Sequence, residues 1–415
     1  MTDASVTPLA TAEGTPRFRT TIPVLGVTQI LAWGSSYYLL AVLAKPIADD
    51  TGWPFGWIVG GLSLGLLVAG IVSPRVGDTI QRLGGRPVLA ASAFFLALGL
   101  ICLALSPNLP TYVASWLIVG IGMGAGLYDA AFATLGRLYG QQARTAITTL
   151  TLFGGFASTV CWPISAMLVS HFGWRHACLI YAGIHLTVLL PLYVFALPKE
   201  PRRPTAPAVP AVDDRGDRND RPVRKGERLL FVLIALTITI SSMISALLSV
   251  HLLTILQARD IALTAAVALG TIVGPCQVGA RAIEMLISRF HHPIWTKLAS
   301  TILVTVGVGL LWMAFPIIAA ALVFYGCGIG IESIARGTLP LAVFGEDRYP
   351  SIVGRIAMPS LIMQALSPSL GSTLMEKLGP DGALGALFTA TSVNVLMVFW
   401  LFAVVRKSLP TAAQP

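Results

Sequence analysis

Glu332 and Arg336 stand four residues apart in Gly326–Phe344, GCGIGIESIARGTLPLAVF, a run otherwise apolar enough to cross a bilayer. At that spacing both side chains share one helix face and can pair. An ionisable group in hydrocarbon costs about 3 kcal/mol or more unless it is paired or faces a watery cavity, so such residues mark sites and pathways. An earlier run, GMGAGLYDAAFATL, carries Asp129 beside Tyr128. The two runs match at a separation of 204 residues: Gly122, Gly124 and Gly126 align with Gly326, Gly328 and Gly330, and Thr134-Leu135 with Thr338-Leu339. Asp129 has no partner nearby in sequence, which makes it the sharper candidate for a proton carrier, with Glu332 second. His251 is a third titratable candidate, although a lone membrane histidine more often makes a plain interhelical hydrogen bond.

Arg281 and Glu284, three apart, form another couple that can pair on one helix. The bland reading is a structural pair holding helices together; the sharper one gives Arg281's planar guanidinium a two-point grip on a substrate carboxylate and Glu284 a place in a gate. Gln277 and Tyr325 add polar contacts near these charges. Trp33, Tyr37 and Tyr38 lie mid-run in WGSSYYLL and, with Tyr128 and Tyr325, offer ring faces either for packing or for lining a cavity and stacking on a planar solute.

The elements that must hold these groups follow from composition. The 415 residues are 55% hydrophobic and 11% charged, with a mean hydropathy of +0.77, against about 25% charged in soluble domains. The length suits about twelve spans of roughly 20 residues. A net charge of +9 raises the question of nucleic acid, but the charges are segregated. Lys45, Arg175, Arg259 and Lys377 fall on one side, Arg281 and Arg336 within spans, and the rest in tails and alternate loops on the other side. That asymmetry places both termini in the cytoplasm and points to lipid rather than nucleic acid as the partner. Cys102, Cys161, Cys178, Cys276 and Cys327 sit in apolar runs without a CxxC spacing, as packing residues. The first twenty residues show no removable signal peptide. His291-His292 lacks acids or thiols at ligand spacing, so no metal is expected. With no GxxxxGK[ST], HExxH or GxSxG motif, neither an ATP-driven pump nor an enzyme is expected, and no cofactor.

Apolar runs bounded by turn signals suggest helices over 22–48, 55–80, 86–106, 109–139, 143–170, 174–197, 228–257, 262–288, 294–315, 317–344, 351–377 and 382–405. The expected fold is all-α: a tail (1–21), a six-helix bundle (22–197), a Pro-rich, mixed-charge disordered linker (198–227), a second six-helix bundle (228–406) and a tail (407–415). The repeated glycine run fits two pseudo-symmetric halves. Pro163, Pro275, Pro359 and Pro368 should kink or unwind their helices.

The loop after the second helix reads GDTIQRLGGRPVL. With the six-plus-six repeat, it resembles the major facilitator superfamily, whose loop motif runs G-x-x-x-D-R-x-G-R-[RK]. Gly77, Arg82, Gly84 and Arg86 match, Gly85 replaces one basic position, and Gln81 stands where the family has its acid. The resemblance implies a cytoplasmic latch between halves; Gln81 can hydrogen-bond there but carries no charge, and Asp78, one turn earlier, can substitute. It also implies that helices one, four, seven and ten line a central cavity. The YY of helix one, Gly52-Trp53 and GGRPVL resemble the monocarboxylate and oxalate/formate carrier-like branch.

The expected function is a monomeric secondary active transporter in the inner membrane, proton-coupled and working by alternating access, with a small organic anion favoured as substrate. Alternatives are uptake of a planar vitamin such as riboflavin, or efflux of a drug or of a trivalent metalloid such as arsenite on Cys161, Cys276 and Cys327.

Overall fold

The computed structural model describes residues 18–199 and 225–408. The expected terminal tails and the body of the linker (200–224) lie outside the described residues, apart from their helical edges. Among the described residues all regular structure is helical. The first half contains α1 (Phe18–Gly34), α2 (Leu39–Thr51), α3 (Phe55–Leu83), α4 (Gly85–Ala104), α5 (Leu109–Gly126), α6 (Tyr128–Tyr139), α7 (Ala143–Gly155) and α8 (Ala157–Ile184), continued by π turns to Ala196. The second contains α9 (Lys225–Gln257), α10 (Leu263–Thr271), α11 (Val273–Ile287), α12 (Pro293–Trp312), α13 (Ile318–Phe344) and α14 (Tyr349–Ser408). The 88-residue stretch Leu109–Ala196 folds as three passes and the 59-residue Tyr349–Lys407 as two. Within them, Gly173 (φ 77°) and Gly379 (φ 72°) reverse the chain in the left-handed region that favours glycine.

Four passes expected as single helices are interrupted. The run 22–48 breaks between Gly34 and Leu39, where Ser35 and Ser36 turn their hydroxyls back onto the carbonyls of Leu31 and Ala32 at 2.7 and 2.6 Å and compete with the helix ladder. The run 109–139 breaks at Leu127, whose ψ of −167° is extended. The run 143–170 breaks at Phe156, after two glycines. The run 262–288 breaks at Ile272, one turn before Pro275, whose ring removes a donor and crowds the carbonyl four residues back. The first three residues of α9 were expected in the linker.

The glycine runs let α5 and α13 wedge between their neighbours. A Cβ on Gly122 or Gly126 would strike Leu96 or Ser92 of α4, and one on Gly124 would strike Ala69 and Val72 of α3. On α13, Gly326 and Gly330 abut α11 and Gly328 abuts α12. Both runs serve close packing, though the order of neighbours is swapped between them.

The first half has one continuous apolar core. The second half has two. Leu247, Leu248 and Leu322 belong to one cluster, Ile234, Leu339 and Leu401 to the other. Between them lies a polar layer of Thr237, Ser241, Lys297, Ser300, Glu332 and Asn394.

The halves meet most tightly at the end that carries Arg75, Arg82, Arg137, Arg144, Arg348 and Arg355, the basic end. There α3 and α14 cross with Gly77 against the Pro350 carbonyl and the Gly354 backbone. Toward the opposite end α8 makes little contact with α10 or α11.

Candidate functional site

Tyr128 and Asp129 open α6 because the chain turns at Leu127. The break leaves the Gly126 carbonyl free of the helix ladder, and Gln29 of α1 donates to it from Nε2 at 2.6 Å. Gln29 in turn accepts from Trp33 Nε1 at 3.2 Å, so the same amide orients the indole. Trp33 lies 5.0 Å from the ring of Tyr128, 5.2 Å from Tyr37 and 6.1 Å from Tyr38, and Tyr128 stacks on Phe132. The aromatic residues expected from the sequence in the first half therefore form one group.

Asp129 lies in the first turn of α6, where the helix dipole favours negative charge. It is not the unpaired carboxyl the sequence suggests. Arg336 of α13 reaches across the seam and grips it in a fork, Nε to Oδ1 at 3.0 Å and Nη2 to Oδ2 at 2.7 Å. Two parallel charge-assisted bonds are the strong form of this pairing. Both side chains line a cavity shared with Trp33, Tyr37, Tyr128 and Gln364 that encloses about 40 Å³. Small-molecule sites run to roughly 300–1,000 Å³, so this one must widen to admit an organic acid. Toward the opposite end, Tyr38 sits 6.2 Å from Trp162, which borders an open recess of about 440 Å³ with Val42, Ser158 and Thr159.

The expected Glu332–Arg336 pair is not formed, because each residue has a nearer partner on another helix. Lys297 of α12 donates to Glu332 Oε1, and Ser300 donates to Oε2 at 2.6 Å. Lys297 is fully buried and also reaches Ser241 Oγ at 3.0 Å and the Thr237 carbonyl at 3.3 Å. The charge segregation in the sequence places it among the loop charges. Its signal was its place four residues inside α12, on one face with Ser300 and Thr301.

Arg281 and Glu284 do not pair either. Arg281, 6% exposed, gives Nε to the Gly330 carbonyl at 3.1 Å, Nη1 to the Thr151 carbonyl across the seam at 3.0 Å and Nη2 to Gln277 Oε1 at 3.3 Å. All three acceptors are neutral. Glu284 accepts from Thr296 Oγ1 at 2.7 Å and lies 3.6 Å from His291 Nε2. His251 Nε2 bonds to the Pro368 carbonyl at 2.9 Å, an interhelical tie away from the charged groups. Tyr325 is buried in the second half's core, with its hydroxyl 3.4 Å from the Ser245 carbonyl.

At the basic end, Gln81 Nε2 donates to the Asp347 carbonyl at 2.5 Å, and Asp78 accepts from Ser351 with Arg355 3.8 Å away. Both side chains cross the seam without the family's acid. Arg137 donates to the carbonyls of Ile80 and Gln81, and Arg144 to that of His291 at 2.6 Å. Gly84 (φ 92°) makes the turn flanked by Arg82 and Arg86. Gly85 has no room for the family's basic side chain, since a Cβ there would lie 2.1 Å from Thr134 Oγ1.

The chain is similar to the monocarboxylate transporter 11 of Homo sapiens, 30% identical over 161 residues, covering 37% of this chain and 32% of that protein. It is also similar to the niacin transporter NiaP of Acinetobacter baylyi, 28% identical over 145 residues, 35% of this chain and 31% of that one. The chain thus matches about a third of each relative's length. Among solved structures, the human organic anion transporter MFSD10 shares the fold with a TM-score of 0.71 at 15% identity, over 92% of this chain and 100% of that one. The sequence model of the Major Facilitator Superfamily matches residues 25–368, and the chain belongs to that superfamily.

Proposed function

We propose that the protein is a proton-coupled secondary transporter of small organic monocarboxylates, with ring-bearing acids favoured. The observation that carries this reading is the Asp129–Arg336 fork on the wall of the aromatic cavity. A guanidinium edge already matched to a carboxylate can exchange that carboxylate for another. One proton taken up by Asp129 discharges it and frees Arg336, whose Nε and Nη2 then receive the substrate's carboxylate. One proton and one anion enter together, so the site stays electrically balanced. Trp33 and Tyr128 supply ring faces beside that position. Arg281, held by neutral acceptors, adds positive potential from α11. The two relatives support the same class, being named for monocarboxylates and for niacin, an aromatic acid.

The tight crossing of α3 and α14 is the closed gate, and the open recess beside Trp162 is the way in. By the positive-inside argument the basic end faces the cytoplasm, so the recess lies on the outer side in this conformation. Release inward requires the Asp129–Arg336, Gln81–Asp347 and Asp78–Ser351 contacts to part.

The test is uptake of radiolabelled nicotinate, benzoate and lactate by the purified full chain in liposomes under an imposed pH gradient, acid outside. Gradient-dependent accumulation that collapses with a protonophore is expected. Transport of none of the three, or accumulation indifferent to the gradient, would overturn the reading.

A further inference from the structure

The polar layer between the two apolar clusters of the second half contains a lysine that the transport scheme does not use. Lys297 is fully buried among α9, α12 and α13, with its charge on Glu332. A cation buried in a span is expensive, and apolar clusters flank this one on both sides. Replacing a buried ion pair by apolar side chains is often neutral or stabilising. Packing therefore gives little reason for the pair.

Its position gives one. Glu332 precedes Arg336 by four residues on α13, the spacing at which an acid and a base on one helix meet. Left alone, Glu332 can turn to Arg336 at this spacing and compete with any carboxylate arriving from across the seam. In the structure it does not compete, because Lys297 and Ser300 occupy both of its oxygens. Arg336 is then available to Asp129. We infer that Lys297 is a positioning residue: by engaging Glu332 it reserves the Arg336 guanidinium for carboxylates from outside α13, Asp129 and the transported anion.

This rests on the reading of Arg336 as the anion contact, and the two can be told apart. Arg336→Gln tests the contact itself: nicotinate uptake unchanged in that variant sinks the contact, whatever Lys297 does. Lys297→Met tests the reservation. If Glu332 then holds Arg336 about nine-tenths of the time, the KM for nicotinate rises roughly tenfold while kcat changes little. The double variant Lys297→Met/Glu332→Gln removes the competitor with the guard and should return KM to within about twofold of the parent chain.

A merely structural pair predicts otherwise. It would leave Glu332 buried without a counter-charge in Lys297→Met, and the protein would fail to fold. Under the reservation scheme Arg336 supplies that charge, so the variant folds. A second readout needs no substrate. In a Thr79→Cys background, which leaves the contacts across the seam intact, Arg336 drawn away from Asp129 loosens the basic end, and labelling of the cysteine by a charged maleimide should quicken several-fold in Lys297→Met and revert in the double variant. A Lys297→Met protein that does not fold, or that folds with parental KM and parental labelling, overturns the proposal, as does a double variant that keeps the raised KM.

Discussion

Arg336 and Asp129, 207 positions apart in the chain, face each other through two parallel hydrogen bonds across the seam between the halves. The pair is 18% and 14% exposed, so a change on one side leaves the other charge largely without water. Asp129→Asn keeps the shape and removes the charge. Losing one partner of such a pair costs about 3–5 kcal/mol, and the loss falls on the conformation closed at the basic end. Accumulation driven by a pH gradient should fall by at least roughly tenfold, while exchange of labelled for unlabelled nicotinate, which moves no net proton and needs only a neutral side chain at this position, persists. Gradient-driven accumulation at the parental rate would remove Asp129 from the coupling step.

Closure at the basic end depends on two bare backbones. A Cβ on Gly77 would sit 2.4 Å from the Pro350 carbonyl oxygen, and one on Gly354 would sit 2.4 Å from that of Ser73. Gly77→Ala or Gly354→Ala should therefore weaken the closed form by about 1–3 kcal/mol, the usual cost of overpacking. Spin labels on α3 and α14 near this end should report a longer distance distribution in both variants. Distances that match the parent would mean the backbones can slide apart without opening the gate.

His292 tests stability apart from transport. It lies between α11 and α12 outside the spans, where its Nδ1 accepts from the Ile294 amide and caps α12 at 3.2 Å. Burial first, then the charges of Arg144 and His291, hold its pKa below the ordinary 6.5. The unfolded chain then binds the proton more tightly than the folded one. Stability contributed here is intact above pH 6.5 and is lost as pH falls from 6.5 toward the lowered folded value. Melting of the detergent-purified protein should drop over that window, and His292→Asn, which keeps an acceptor without a titration, should flatten the slope. An equal slope in both would place the acid sensitivity elsewhere.

The helices and the glycine run at Gly326–Gly330 were legible because a backbone in hydrocarbon must satisfy itself internally, and long apolar runs without alternation do so as helices. The pairings were not. Spacing ranks partners on one helix, so Glu332–Arg336 and Arg281–Glu284 looked natural, yet every one of these side chains found a nearer partner across helices. Lys297 was missed for a related reason: it lies inside the expected helix 294–315, yet a base one turn from a helix start reads as a loop charge until its partners on α9 and α13 are seen. The break at Leu127, which places Asp129 in the first turn of α6, had no proline or paired glycines to announce it. Gly85 shows the reverse case, a departure from the family's loop motif that only the touching Thr134 explains.

Trp33 decides whether the rings recognise substrate or only pack. Its indole is fixed by Gln29 and faces the Tyr128 ring at 5.0 Å, on the same cavity wall as Arg336. Aromatic pairs add about 0.5–1.5 kcal/mol beyond the area they bury. An aliphatic side chain at this position forfeits that increment for a ring-bearing acid and for no other. Trp33→Leu should raise the KM for nicotinate and benzoate by roughly two- to tenfold and leave that for lactate within about twofold, since each tenfold corresponds to 1.4 kcal/mol. The ratio of the two effects is the measurement, because loss of folded protein or of coupling lowers all three rates together. A uniform change across the panel would assign Trp33 to packing and leave the carboxylate at Arg336 as the feature by which substrate is chosen.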